Sequence, residues 1–151
     1  MRAVIQRTKM PAEVKVEGRV IGNISKGLIV YIGIEDDDNN DDITWLSNKI
    51  VNLRIFNDEL GKMNLSVKDI EGEILLISQF TLFASTKKGN RPSFLRSAKP
   101  DYANKIYETF TEQIRSTHDI KVSCGIFGAD MKVSYINDGP VTIIVDTKNK
   151  E

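Results

Sequence analysis

Two stretches of this chain place small polar groups and backbone at the end of an apolar strand, where a site can form: Ser78-Gln79-Phe80-Thr81-Leu82 and Asn137-Asp138-Gly139-Pro140-Val141-Thr142. The first follows Leu75-Leu76-Ile77, a run that reads as buried strand. The second sets Gly139-Pro140, a turn signal, just before the strand Val141-Thr142-Ile143-Ile144-Val145. Thr81, Ser78 and Ser93 are candidate hydroxyl nucleophiles, but a hydroxyl needs a base to activate it. The one histidine, His118, falls beside Asp119 in the polar end of a helix and reads as a solvated helix terminus. Cys124, in a short strand, reads as a small buried apolar residue. With one His and one Cys, neither a Ser-His-Asp or Cys-His enzyme nor a closed metal site is expected. Gly22, Gly27 and Gly33 form neither a dinucleotide loop nor a P-loop, so no cofactor is expected.

What remains is a site of backbone amides, small hydroxyls and an amide side chain. Such a site can stabilise an oxyanion and speed cleavage of a labile ester without a titrating group. A strand end with satisfied polar side chains is the plainer reading of Ser78 to Leu82, and composition alone favours it. Gly139-Pro140 is equally open, because an X-Pro bond is usually trans and sometimes cis. Lys87, Lys88 and Arg91 around Gly89 form the densest basic cluster, which can meet phosphates or simply solvate a loop. Phe127 and Met131 flank Gly128-Ala129-Asp130 and offer a slot for a base or two core residues, the core being favoured by the residues alone.

The elements that must position these groups follow from the apolar periodicity. An opening strand over 3–8 precedes a hairpin around Glu17-Gly18-Arg19, and Leu28 to Ile34 reads as a central strand. The acidic stretch 35–42 reads as a solvated loop ending in a helix N-cap, with no calcium-loop spacing. A helix carries Ile43, Leu46, Ile50 and Leu53 on one face, widened by Trp45 and Val51. Strand-turn-strand over 54–64, a long strand from Gly72 through Phe83 and the basic loop 87–93 come next. A second helix after Pro100 buries Ala103, Ile106, Tyr107, Phe110 and Ile114. Strands at 120–124, 131–136 and 141–146 close the chain, with 148–151 expected to fray. About eight short strands against two helices, with no βαβ alternation, imply an α+β fold. The expected form is one domain over 1–151, a curved, mainly antiparallel β-sheet or barrel packed by two main helices.

The chain is large enough for a real core, at 151 residues with 40% hydrophobic and 28% charged content. Its 21 basic and 21 acidic side chains cancel, so a nucleic-acid partner needs a local basic patch, and self-association meets no net repulsion. The single cysteine and a start too charged for a signal peptide point to the cytoplasm. No apolar run approaches the ~20 residues that span a bilayer, so no membrane partner is expected.

These residues resemble the D-aminoacyl-tRNA deacylases, also called D-tyrosyl-tRNA deacylases, over nearly the whole chain. Beside the two motifs above, the resemblance runs through Asn52-Leu53-Arg54-Ile55-Phe56, Gly61 to Ser66, Gly89-Asn90-Arg91-Pro92-Ser93-Phe94 and Phe127-Gly128-Ala129-Asp130-Met131. It implies hydrolysis of the ester joining a D-amino acid, or a glycyl group misplaced on alanine tRNA, to the tRNA 3′ end. It implies a homodimer with two interface sites, each pairing Ser78, Gln79, Phe80 and Thr81 with the partner's cis Gly-Pro, here Gly139 and Pro140. The carbonyls of that pair reject an L side chain by clash, and Arg7 matches a residue that holds them. Phe127 and Met131 match contacts to the terminal adenosine, and Lys87, Lys88 and Arg91 complete the contacts expected with the acceptor end. The family's attacking water is assisted by the substrate's 2′-hydroxyl, with donors near Phe80 and Thr81 serving the oxyanion. The chain departs from many members at Phe83 (Tyr) and Ser85 (Asp), and Pro11 is unusual after the first strand. A tRNA-end binding protein without turnover and a small-molecule esterase are the competing expectations.

Overall fold

The computed structural model describes residues 1–151. Its main sheet has five strands in the order β10-β1-β4-β7-β8. These are β1 (Arg2–Thr8), β4 (Gly27–Gly33), β7 (Glu73–Ser78), β8 (Val122–Cys124) and β10 (Thr142–Asp146). Strand β1 pairs antiparallel with both β10 and β4, whereas β7 is parallel to β4 and to β8. A second sheet, β3-β2-β9, comprises β2 (Ala12–Val16), β3 (Arg19–Ile24) and β9 (Met131–Ser134). The small pair β5 (Phe56–Asn57) and β6 (Met63–Leu65) stands apart from both. Helices α1 (Asn40–Asn52) and α2 (Pro100–His118) complete the expected α+β architecture, with the sheet curved and open rather than closed into a barrel.

The sheet has two unlike faces because each strand alternates its side chains. Ala3, Ile5, Leu28, Val30, Ile32, Ile74 and Leu76 join Ile43, Leu46, Ile50, Ile106, Phe110 and Ile114 of the helices in one buried cluster. Ile29, Leu75 and Ile77 on the other face meet Ala12, Val14 and Ile24 of the second sheet. Thus β4 and β7 are covered on both sides, which is why they read as unbroken apolar runs. Edge strand β10 is not, and Ile144 is 69% exposed.

The turn Glu17-Gly18, with φ of 49° and 76°, joins β2 to β3 as expected of a two-residue hairpin. Two expectations are corrected. The long strand stops at Ser78, where its partner β4 runs out, and the chain winds into a 3₁₀ turn over Phe80–Phe83 that buries Phe83. Phe-Thr-Leu-Phe has good strand propensity, and burial of the second phenylalanine overrides it. The acidic stretch is only partly solvated. Asn39 caps α1 in a capping box with Asp42, but Asp38 and Asp42 are buried. Asp38 pairs with the Met1 amino group, and Lys148, in the tail expected to fray, reaches Asp42 at 2.8 Å.

His118 ends α2 as expected, but its Nε2 is buried without a partner. Burial, helped by Lys68, lowers its pKa and favours the neutral ring.

The Asp42–Lys148 pair has a consequence for acid stability. Burial pushes the Asp42 carboxyl up, but hydrogen bonds from Lys148, Thr147 and the Asn39 backbone outweigh it and leave the pKa lowered. A lowered folded-state pKa contributes stability above the unfolded carboxylate value, lost as pH falls through the folded value. Lys148→Met therefore moves the acid-unfolding midpoint to higher pH. Fluorescence of Trp45, the one tryptophan, on which Lys150 stacks at 4.6 Å, reads that midpoint. An unchanged midpoint would show that the pair contributes nothing.

Candidate active site

Three parallel strands end together, and the site begins where they end. Crevices outside the carboxyl ends of parallel strands are ready-made binding places, because connecting loops diverge there. The register aligns Ser78 with Ile32, and Cys124 with Leu76. Beyond Ser78 the chain makes one last strand bond, Gln79 N–H to Ile32 O at 2.7 Å, before turning. Leu82 gives the first N–H taken up inside the turn, to Gln79 O at 3.3 Å. The amides of Phe80 and Thr81 precede it, and the start of a helical turn leaves such donors free. Thr81 Oγ1 accepts from Gln79 Nε2 at 2.5 Å and has no titrating partner. The constellation offers donors for an oxyanion and no general base.

Arg2 braces this turn, a role the sequence reading missed. Its Nη1 donates to Leu82 O at 2.8 Å and its guanidinium lies 4.8 Å over the Phe83 ring. Its other edge pairs with Asp146 of β10, at 2.9 Å from Nε and 2.8 Å from Nη2. Burial raises the Asp146 pKa, but bonds from the Lys148 backbone and Arg2 leave it lowered, so the brace is ionised at neutral pH. Arg96, held by Glu35, lies over the same ring at 5.3 Å. Nothing in residue type alone marks Arg2, because the brace is visible only once β1 lies beside the turn.

Phe127 and Met131 sit at this same end. Phe127 follows β8 and packs on Tyr107 with centroids 6.0 Å apart, while Tyr107 donates its hydroxyl to Leu76 O of β7 at 2.9 Å. Met131 Sδ fills the space that a Cβ on Gly125 would take. Both are half-buried, so each is part core and part open surface. Lys87, Lys88 and Arg91 are exposed on a hairpin pinned by the Ser85–Ser93 bridge.

Arg7, Gly139 and Pro140 lie at the opposite end of the sheet. Arg7 is buried and forks between two segments: Nη1 donates to Ile55 O at 2.6 Å and Asn57 Oδ1 at 3.2 Å, Nε to Asp138 O at 3.1 Å. Its Nη2 lies 3.0 Å from Asp138 Oδ2, at ion-pair distance without hydrogen-bond alignment, and Lys9 approaches the same oxygen at 3.3 Å. The Arg7 backbone clamps the loop twice, with Arg7 N–H to Val141 O at 3.3 Å and Asp138 N–H to Arg7 O at 2.9 Å. Asn137 accepts from Val141 N–H and donates to Thr142 Oγ1, both at 3.0 Å. The Gly139–Pro140 bond is cis, and both residues are exposed.

The register measures how far apart the two motifs are. Ser78 is level with Ile32, Ala3 and Val145, so Pro140 lies five residues further along β10 and three strands across. At ~3.3 Å per residue and ~4.8 Å per strand the separation is roughly 20 Å. One chain does not bring them together.

The model of the family described as D-Tyr-tRNA(Tyr) deacylase matches residues 4–146. The chain belongs to that family. A D-aminoacyl-tRNA deacylase of Flavobacterium psychrophilum is 58% identical over 151 residues, covering 100% of both chains. That of Thermosipho africanus is 55% identical over 148 residues, 98% of each. Among solved structures, a c-Myc DNA unwinding element binding protein superposes with a TM-score of 0.90 at 41% identity, over 97% of this chain and 99% of that one. A structure described as a probable eukaryotic D-amino acid tRNA deacylase shares the fold, with a TM-score of 0.83 at 16% identity over 95% of this chain and 97% of that one. The deacylases are hydrolases, so this chain is an enzyme. No helix of it is long and apolar enough to cross a membrane.

Proposed function

We propose that this chain hydrolyses the ester between a D-amino acid and the 3′ end of tRNA, in the cytoplasm, as a chiral proofreading enzyme. The observation that carries the reading is the amide pair of Phe80 and Thr81 just past the end of β7, neither of which donates to another group of the chain. Donors so placed stabilise the tetrahedral oxyanion, and removing one such donor typically costs about 10²–10³ in rate. Full-length relatives carrying the deacylase name support the substrate. The attacking water is then assisted by the substrate's own 2′-hydroxyl, which accepts a proton from the water as it passes its own to the departing 3′ oxygen, so that no side-chain base is needed. Phe127 and Met131 take the terminal adenosine, and Lys87, Lys88 and Arg91 meet the acceptor end.

Each site is completed by a second copy of the chain. Two motifs roughly 20 Å apart cannot share one ester. A two-fold axis near the middle of β10, where Ile144 is exposed, carries the Gly139–Pro140 end of one copy toward the Ser78 end of the other. The partner's Gly-Pro carbonyls then exclude an L side chain by clash and admit D side chains and glycine, including glycyl groups on alanine tRNA.

D-tyrosyl-tRNA and L-tyrosyl-tRNA, each in large excess over enzyme, test this directly. Many turnovers of the D form alone are expected. Binding of either form without turnover would make the chain a tRNA-end binding protein, and equal cleavage of free amino-acid esters would make it a general esterase. Thr81→Ala should retain substantial activity, since the threonine supplies an amide rather than a nucleophile. Its complete loss with intact tRNA binding would restore Thr81 as nucleophile.

A further inference from the structure

Two exposed aromatic rings, Phe80 in the turn and Phe94 beside it, have no part in the ester cleavage described above, which uses only the Phe80 amide. The Phe80 and Phe94 rings meet edge to face at 5.1 Å, and they are 58% and 37% exposed. Their placement is fixed. Ser97 Oγ donates to Phe80 O at 2.8 Å, and Ser85 and Ser93 exchange N–H···O bonds of 2.8 and 3.0 Å. That bridge closes the basic hairpin and hands the chain on to Phe94.

The segment that carries Phe94 is one-sided in charge. Between Ser85 and Lys99 the sequence has five cations and no carboxylate, in a chain whose net charge is zero. Arg96 is taken by Glu35, but Lys87, Lys88, Arg91 and Lys99 make no ion pair. Exposed π-faces beside unpaired cations are what a single-stranded nucleic acid requires, rings for its bases and charge for its phosphates. A second copy of the chain is the other candidate occupant. A symmetric contact through this patch would set cations against cations, which disfavours it.

The patch also lies on the correct side. The 3₁₀ turn sits over the end of β4, where a Cβ on Gly33 would stand 3.1 Å from Leu82 and Phe83. Phe127 follows β8, which pairs with β7 on the edge away from β4. A strand whose terminal adenosine rests at Phe127 therefore reaches the pair only after crossing the mouth of the site.

We propose that Phe80 and Phe94 form a stacking platform for an unpaired base of the acceptor end upstream of the terminal adenosine, with Lys87, Lys88 and Arg91 on its phosphates. The proposal rests on the deacylase reading of the same site. Base–aromatic stacking amounts to about tenfold in affinity per base.

The test compares D-tyrosyl-tRNA with the D-tyrosyl ester of adenosine, which lacks every upstream base. Phe94→Ala should raise KM for the tRNA about tenfold more than KM for the nucleoside ester, with kcat retained, and Phe94→Trp should restore it. Equal effects on both substrates, or none on the tRNA, would overturn the platform. So would dissociation of the Phe94→Ala dimer in sedimentation, which would assign the pair to the subunit contact. Failure of the wild type to turn over D-tyrosyl-tRNA would instead sink the deacylase reading itself.

Discussion

Mixing Phe80→Pro chains with Gly139→Ala chains should restore D-selective turnover that neither variant has alone. Phe80→Pro deletes one of the two proposed oxyanion donors and little else in the backbone. Proline suits the first position of a helical turn, and Gln79 before it, at φ −146° and ψ 83°, lies outside the α region that a following proline disfavours. A loss of about 10²–10³ in kcat is expected. Gly139→Ala damages the other half. A Cβ there would stand 2.9 Å from Arg7 Nη2 and 2.9 Å from Val141 Cγ2, at a φ of +125° that L side chains rarely adopt. In a randomly mixed population half the dimers carry one of each chain, and each such dimer holds one intact site. Recovery to about a quarter of wild-type turnover follows from two-fold symmetry. If each site lay within one chain, mixing would restore nothing.

Arg7→Met should cost about 3 kcal/mol and a fall in Tm of roughly 10 °C, together with D-over-L selectivity. The buried guanidinium satisfies Ile55 O, Asn57 Oδ1 and Asp138 O, and faces the Asp138 carboxylate. Methionine fills much of the volume and leaves all four acceptors behind. Arg7→Lys restores charge but cannot fork between the β5–β6 hairpin and the Gly-Pro loop, so it should recover stability more than selectivity. Thermal unfolding and the ratio of D to L turnover separate the two effects. A variant with unchanged Tm and ratio would remove Arg7 from any supporting role.

Much of this was legible in the residues because local pattern and tertiary role agreed. Helix α2 buries Ala103, Ile106, Tyr107, Phe110 and Ile114 as its periodicity implies, and α1 is capped by Asn39 within the acidic run, whose last carboxylates fall in the helix's first turn. The sheet's parallel half was not legible, since β4 and β7 are apolar on both faces and say nothing of direction. The end of β7 was misplaced for a related reason. Ser78 to Phe83 has strand-forming residues throughout, and the stop is imposed by the exhaustion of β4 as a neighbour. Asp38 and Asp42 were read as solvent charges because their cations, at Met1 and Lys148, lie more than a hundred residues from one another. The two motifs themselves were visible, but not the sheet that holds them apart. Only register reveals that distance.

Strand β1 pairs on one side with β4 and on the other with β10, whose residues come some 140 positions later. Contacts so remote in sequence form late, because the loop entropy must be met before they give anything back. The turn at Phe80 can therefore be in place on β1, β4 and β7 while the outer edge of β1 still waits. On a ribosome, the chain carries the Phe80 turn, the proposed ester-cleaving half, before it carries the Gly139–Pro140 loop, the proposed discriminating half. A site split between two copies, as proposed above, would keep such a half-made molecule harmless, since the Gly139–Pro140 end arrives with the same strand that would permit assembly.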